Sequence, residues 1–519
     1  MNRRDVLKSS LLGAGALAVK PSLAQRSAPG PQANAHIWPH VPEELNGGKM
    51  PNILWICPDM QRFDTIEGLN NDFIHTPNLR KLMAESVTLT HAYVQNPVCS
   101  PSRASFLTGR YPHTTGLRAL GQRIRPDERL VTRILADAGY ACGLSGKLHL
   151  APVYGGRLED RIDDGYSVFD WSIDITNLWP GRNMWRVWLN EQGIKWPDPP
   201  QGDAELAWGV PIDAKYMQTA WCSDRAIQFM RGQRDFNPWL MSVNIFQPHH
   251  PYWPAREYLD RYRAEDMPGP NYHEGELRNK PIYQQVDHQA GYAGQDISFT
   301  KTSDLEHRRM KAAYYAMVEQ IDTEVGRMMQ VLDETGQAEN TIVIYMSDHG
   351  EMLGDHGIFL KGPYFYEGGI RVPLMIRWPG KYKAGLRSDA LVEMVDLAPT
   401  LLEAAGIAIP PGMQGRSLTP LLTGRTTRHR DSVYCEFYDS GFLYDPPPMA
   451  VCVRTESHKL AHYQNLGIGE LYDLEKDPTE TNNLWNSPSA RAVREEMMRL
   501  LVARMVDTVD PIPERKCPW

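Results

Sequence analysis

The stretch Cys99-Ser100-Pro101-Ser102-Arg103-Ala104-Ser105-Phe106-Leu107-Thr108-Gly109-Arg110 sets a cysteine against the start of a helix. Pro101 is tolerated in a first helical turn, where the missing N–H would have had no partner anyway. Cys99 is thereby expected just before a helix N-terminus, where orphan N–H groups and the helix dipole favour an anion. Arg103 falls one turn along, near the same end. Its guanidinium is always charged, and its fork of donors suits oxyanions. Alone, such a cysteine reads as a buried small hydrophobe and such an arginine as a surface charge. Together at a helix start they read as a site that handles an anion.

Outward from this stretch, short apolar runs alternate with helical ones. Residues 52–57, 87–93, 140–144, 239–246, 341–346 and 372–377 read as strands. Residues 77–86, 128–138, 213–232 and 304–335 read as helices. This alternation predicts an α/β fold whose central sheet is mainly parallel and lies between helices. Ligands of such sheets sit beyond the carboxyl ends of the strands. Ionisable residues collect at those ends: Asp59 after the first strand, Cys99 after the second, Lys147 and His149 after the third, His249 after the fourth, Asp348 and His349 after the fifth. Residues 151–212 and 251–303 read as long irregular insertions, aromatic enough to be ordered and to shape a substrate. Beyond Gly406, strands near 433–438, 449–454 and 458–463 and a helix over 488–506 read as a smaller α+β subdomain.

The 99–110 stretch resembles the signature of the type I sulfatases, Cys-x-Pro-Ser-Arg followed by Leu-Thr-Gly-Arg. Ser347-Asp348-His349-Gly350-Glu351 resembles the family's second metal segment. Gly146-Lys147-Leu148-His149 resembles its Gly-Lys-Trp-His, with Leu148 for the aromatic. Pro248-His249-His250-Pro251 resembles its Pro-His-x-Pro, and Lys361 matches its later lysine. The run Glu470-Leu471-Tyr472-Asp473-Leu474, Asp477-Pro478 and Asn483-Leu484 resembles its C-terminal part, so the likeness covers roughly residues 50–505. It implies an alkaline phosphatase-like sandwich, with a catalytic domain over 51–410 and a C-terminal subdomain with a small antiparallel sheet over 411–519.

The resemblance also implies chemistry. Cys99 would be oxidised to formylglycine by a separate maturation enzyme, and its hydrate would attack sulfur with help from Arg103 and one divalent cation. Lys147, Lys361 and the cation would neutralise the sulfuryl oxygens. His249 or Lys361 would protonate the leaving alcohol, and His149 would take the proton as sulfate is expelled. Asp59, Asp348, His349 and residue 99 are the expected metal ligands. Hard oxygen donors suit calcium first, with magnesium or manganese as alternatives. One departure stands out. Met60 occupies the place of a second Asp or a Gln, and its thioether is a poor ligand for a hard cation, so the expectation is that either Gln61 or water fills that position or the site binds metal less tightly.

Composition narrows the setting. The chain has 519 residues, 42% hydrophobic and 23% charged, with a net charge of −8. That is long enough for a large core, and its bulk charge does not point to nucleic acid. The seven cysteines include no Cys-x-x-Cys pair, so neither a zinc ribbon nor a disulfide framework is indicated; Cys435 and Cys452 could pair only in an oxidising compartment, and no pairing is expected from the sequence. Arg3-Arg4 precedes a short apolar run and Ser22-Leu23-Ala24, which reads as a twin-arginine export signal over 1–24, followed by a linker over 25–50. The apolar run is too short to span a bilayer. A periplasmic or secreted enzyme acting on a small-molecule or saccharide sulfate ester follows, with the Tat machinery and the maturation enzyme as partners. Two alternatives stand beside it: a phosphonate or phosphate diester hydrolase of the same superfamily, and a non-catalytic protein that binds sulfated glycans.

Overall fold

Three stretches set the middle of the molecule: Asn52–Ile56, Trp239–Asn244 and Thr341–Met346 are buried along their whole length. A strand buried on both faces needs cover on both sides, and parallel sheets provide it. The computed structural model describes residues 49–69, 71–153, 157–175, 182–233 and 238–511. The expected export signal, the linker as far as residue 48, and Cys517 lie outside the described residues.

The strands are β1 (Asn52–Ile56), β2 (Val87–Leu89), β3 (Ala92–Tyr93), β4 (Ala141–Gly146), β5 (Val168–Trp171), β6 (Trp239–Asn244), β7 (Thr341–Met346), β8 (Arg371–Val372), β9 (Leu374–Arg377), β10 (Arg387–Ser388), β11 (Val392–Glu393), β12 (Val433–Tyr438), β13 (Met449–Arg454), β14 (His458–Tyr463) and β15 (Gly469–Asp473). Eight of them form the central sheet in the order β10-β2-β9-β7-β1-β6-β4-β5. From β7 to β5 every pairing is parallel, whereas β9 runs antiparallel to both β7 and β2. The expected mainly parallel sheet is therefore present with an antiparallel insertion on one side. Alternate residues of β1 face opposite ways. Ile53 and Trp55 join a core with Phe106, Leu107 and Leu135, while Leu54 and Ile56 join one with Trp221, Val325 and Met328. The second face is covered by the Gln218–Gly232 and Asp304–Glu334 helices. The longer one starts at a capping box in which the Ser303 hydroxyl accepts from the Glu306 N–H and the Glu306 carboxylate accepts from the Ser303 N–H.

Three readings of the sequence need correction. The expected strand 87–93 is two strands, and β3 pairs with β8 and β11 in a separate small sheet. The chain turns at Thr90 and His91, so Cys99 follows the small sheet rather than the central one. The insertion read as irregular over 151–212 supplies β5, the edge strand of the main sheet, and a helix, Met184–Glu191. The C-terminal antiparallel sheet has a fourth strand, β15, and the Arg491–Asp507 helix packs beside it. Cys435 and Cys452 lie directly opposite one another on β12 and β13, both buried and both as free thiols.

Candidate active site

Four neighbouring parallel strands, β7, β1, β6 and β4, end at the same edge, and each end delivers ionisable side chains there. Asp59 follows β1, Lys147 and His149 follow β4, His249 follows β6, and Asp348 and His349 follow β7. Cys99 arrives as the first residue of the Cys99–Thr108 helix, after an extended Val98, and that helix closes at Gly109 in the left-handed region (φ 67°). Pro101 lies in its first turn, as the sequence indicated. Gly146 lets β4 turn into the site: its φ is +100°, and a Cβ there would sit 1.9 Å from the Asn244 carbonyl oxygen. Lys147 follows it, donating its N–H to that same carbonyl at 3.0 Å.

One ligand atom each from Asp59, Cys99, Asp348 and His349 lies within 4.8 Å of the others, and all four residues are buried. Each carboxylate divides its work. Asp59 turns Oδ1 toward Cys99 Sγ (3.7 Å) and His349 Nε2 (3.6 Å), while Oδ2 accepts from Lys147 Nζ at 2.5 Å and Arg103 at 3.3 Å. Asp348 Oδ2 pairs with Arg103 Nε at 2.9 Å, and its Oδ1 accepts from the N–H groups of Met60 and His349, both at 3.0 Å. His349 donates Nδ1–H to the Gly350 carbonyl at 2.8 Å, which leaves the lone pair of Nε2 facing the cluster. Two carboxylate oxygens, an imidazole lone pair and the residue 99 side chain fit a hard divalent cation.

Arg103 is 1% exposed and spends its remaining donor, NH1, on the Lys147 carbonyl at 2.8 Å. It grips the two carboxylates and the β4 end together. Met60 does not ligate. Its φ is +70° and its side chain joins an apolar cluster with Tyr252, Met310 and Tyr314. Gln61 does not substitute for it either: its amide accepts from Tyr345 Oη at 2.6 Å and donates to Thr65 Oγ1 at 3.2 Å. Of the expected alternatives, Gln61 is thus removed, because the left-handed turn at Met60 sends both side chains into the core, and water or weaker metal binding is left.

Around Cys99 the field is cationic. Lys361 Nζ lies 2.8 Å from Sγ and 3.0 Å from His249 Nε2. Burial alone would raise the thiol, but Lys147, Lys361 and His349 beside it, and a hydrogen bond with the His149 ring, hold it well below its usual range. Burial and then the Lys147 charge push His149 down to about 4, and burial and then Lys361 lower His249. His249 gives Nδ1–H to the His250 carbonyl at 2.6 Å, so its Nε2 is the nitrogen that meets Lys361. All six expected catalytic residues and all expected metal ligands therefore meet at one place, beside a cavity of about 340 Å³ that opens on Cys99, Lys147, His149, His249 and Lys361.

Several residues of this place carried no local signal. Glu159 accepts from the N–H groups of His149 (2.7 Å) and Leu150 (3.2 Å) and from Trp171 Nε1 (3.1 Å), and so fixes His149 in its left-handed backbone (φ 64°). Tyr292 lines the cavity from the 251–303 insertion and Phe442 from the C-terminal part. The aromatic content of the insertion pointed to a substrate wall without naming its members.

Comparison with known proteins agrees with this geometry. The family model described as Sulfatase matches residues 51–407, and one described as N-sulphoglucosamine sulphohydrolase, C-terminal, matches residues 354–507. The chain is 31% identical to an arylsulfatase of Clostridium perfringens over 88% of this chain and 94% of that one. It is 30% identical to the multifunctional alkaline phosphatase superfamily protein PehA of Trinickia caryophylli, over 88% and 95%. Among solved structures, the phosphonate monoester hydrolase of Silicibacter pomeroyi shares the fold, with a TM-score of 0.77 at 24% identity over 89% of this chain and 96% of that one. By the family model over residues 51–407 and these relatives, the chain belongs to the sulfatase family, within the alkaline phosphatase-like superfamily.

Proposed function

We propose that the protein is an exported sulfatase that hydrolyses a sulfate monoester of a small molecule or saccharide to an alcohol and inorganic sulfate. The observation that carries this reading is the meeting of Cys99 with Lys361 at 2.8 Å, beside a carboxylate–imidazole shell. Asp59, Asp348, His349 and residue 99 would hold one divalent cation, calcium first, which supplies a Lewis acid for the sulfuryl oxygens. Formylglycine at residue 99 would supply a hydroxyl nucleophile.

The chain's own residues do the rest. Lys147 and Lys361 oppose the charge of the sulfuryl group from a buried, low-dielectric floor, where such pairing is strong. Arg103 holds Asp59 and Asp348 in place instead of touching substrate. The departing oxygen takes its proton from the Lys361 ammonium, directly or relayed through His249 Nε2, which that ammonium meets at 3.0 Å. His149, neutral because burial and Lys147 depress it, takes a proton as sulfate leaves. Export by the twin-arginine route to the periplasm or beyond suits this chemistry, because that route carries folded proteins and residue 99 would be matured before export.

Two measurements test the proposal. Matured protein should turn over para-nitrophenyl sulfate with a kcat/KM at least about tenfold above that for para-nitrophenyl phenylphosphonate. The reverse order would establish the second reading, a phosphonate or phosphate diester hydrolase, which the Asp59-Met60-Gln61 departure keeps open. Dialysis against a chelator should lower both turnover and Tm, and calcium should restore both. At a concentration one hundred times Kd, a bound cation adds about 2.7 kcal/mol. A Tm indifferent to calcium, magnesium and manganese alike would show that the shell holds no cation.

A further inference from the structure

The sulfatase chemistry leaves one wall of the cavity unused. Cys99, Lys147 and Lys361 are 2–3% exposed, so an ester enters with its anion toward them and its alcohol toward the more exposed rim. At that rim the rings of Tyr292 and Phe442 lie parallel, 4.4 Å between centroids and 8° between planes. Tyr292 also meets the His250 ring at 5.5 Å. Leu120, Val153 and Ile173 add apolar lining, with Asp174 beside them.

Two features separate Tyr292 from ordinary packing. Its backbone and that of Ala293 are left-handed, with φ of 54° and 59°. A bulky side chain pays conformational energy there, and such strain persists only where the surroundings impose it. Its hydroxyl is buried and has no hydrogen-bond partner among the described residues, as is true of His149 Nδ1 and His250 Nδ1 in the same cavity. Buried donors without partners are rare in folded proteins, and a ligand atom satisfies them.

Asp287 is what imposes the strain. Its Oδ1 accepts from the Ala293 N–H at 3.0 Å, which fixes the turn that carries Tyr292. Its Oδ2 accepts from Tyr444 Oη at 2.6 Å, two residues beyond Phe442, and from Tyr364 Oη at 3.4 Å, three residues beyond Lys361. One buried carboxylate thus ties together the turn, the loop and the lysine segment that border the rim.

We propose that Tyr292 and Phe442 form the leaving-group subsite, that it takes a ring with a flat, weakly polar face, and that Asp287 is its positioning residue. The Tyr292 hydroxyl donates a hydrogen bond to a polar atom of the bound ester. An aryl ring and the C–H face of a sugar share this chemistry. The proposal rests on the ester-hydrolase reading for the orientation of the substrate, anion inward.

The test uses full-length matured protein with residue 99 verified by mass spectrometry. Tyr292→Phe, Phe442→Ala and Asp287→Asn are assayed with para-nitrophenyl sulfate and with glucosamine 6-sulfate. Inorganic sulfate serves as the competitive inhibitor that reaches only the floor. Phe442→Ala and Asp287→Asn should lower kcat/KM about tenfold for the preferred ring, and Tyr292→Phe about threefold, with the inhibition constant for sulfate unchanged within about twofold. The substrate losing more identifies the ring as aryl or sugar. Parallel loss of sulfate inhibition, or kcat/KM held within about twofold in all three variants, would overturn the subsite. If Asp287→Asn fails to fold, Tyr292→Phe and Phe442→Ala decide the matter. If the wild type hydrolyses para-nitrophenyl phenylphosphonate instead of either sulfate, the sulfatase reading fails while the same three variants on that ester still decide the subsite.

Discussion

Cys99→Ala should lower sulfate-ester turnover by about 10⁴-fold or more, with the fold retained. Removing a nucleophile costs on this scale because the groups that serve it act as a unit and lose their purpose together. The surroundings explain why no neighbour can replace it. Lys361 and Lys147 are charged donors, Asp59 and Asp348 are committed to Arg103 and Lys147, and Ser102 donates its hydroxyl to the Asp348 carbonyl at 2.5 Å. The lost side chain is small, so the change in stability should stay at about 1 kcal/mol. The checks are steady-state turnover, Tm, and mass spectrometry of the wild-type tryptic peptide that ends at Arg103. That peptide should carry formylglycine or its hydrate at residue 99. Turnover by the alanine variant within about tenfold of wild type would place the nucleophile elsewhere. An unmodified thiol in active wild-type protein would replace the formylglycine route with thiolate chemistry.

How far this was readable from the chain follows from the range of the interactions involved. The four strand ends of the central sheet were legible because burial on both faces leaves uninterrupted apolar runs, as in Thr341–Met346, and the ionisable residues begin where those runs stop. The helix at Cys99 was legible because Pro101 and Gly109 are local signals of its start and stop. Asp59, Asp348 and His349 were expected as metal ligands from those strand ends and the resemblance of their motifs, and Cys99 from its signature helix. What escaped depends on contacts between distant residues. The antiparallel course of β9 is decided by its partners β2 and β7 rather than by anything within Leu374–Arg377. The edge strand Val168–Trp171 is only partly buried and so lacks the apolar run of a central strand. The turn at Met60, which withdraws Gln61 from the site, is closed by Asp348 and Ser347 across the sheet. Glu159, Asp287 and Tyr292 act through loops whose sequence shows composition but no period.

Arg103→Met should destabilise the protein by about 3–5 kcal/mol and lower kcat by about 10²–10³. Arg103 is buried with three partners at once: Asp348 at 2.9 Å, Asp59 at 3.3 Å and the Lys147 carbonyl at 2.8 Å. Burial works against its charge, yet the Asp348 and Asp59 carboxylates beside it hold the guanidinium charged well above its usual range. Deleting one member of a buried pair costs far more than the pair contributes, because the remaining charge stays desolvated and unmatched. The two carboxylates do not suffer equally. Asp59 keeps Lys147 Nζ at 2.5 Å, whereas Asp348 loses the only lysine or arginine paired with it among the described residues. The damage should therefore centre on Asp348, and through it on the Met60 and His349 N–H groups that its Oδ1 orders. Arg103→Lys separates charge from shape. An ammonium restores the charge but cannot span Nε and NH2 to two carboxylates while donating NH1 to the strand end. It should recover less than about half of the lost stability and little of the kcat. Denaturant unfolding gives the first quantity and steady-state kinetics at saturating substrate the second. A loss under about 1 kcal/mol in Arg103→Met would mean that the carboxylates are matched without it. Full recovery of kcat in Arg103→Lys would mean that charge alone, not the fork, holds Asp59 and Asp348 in register at the floor of the site.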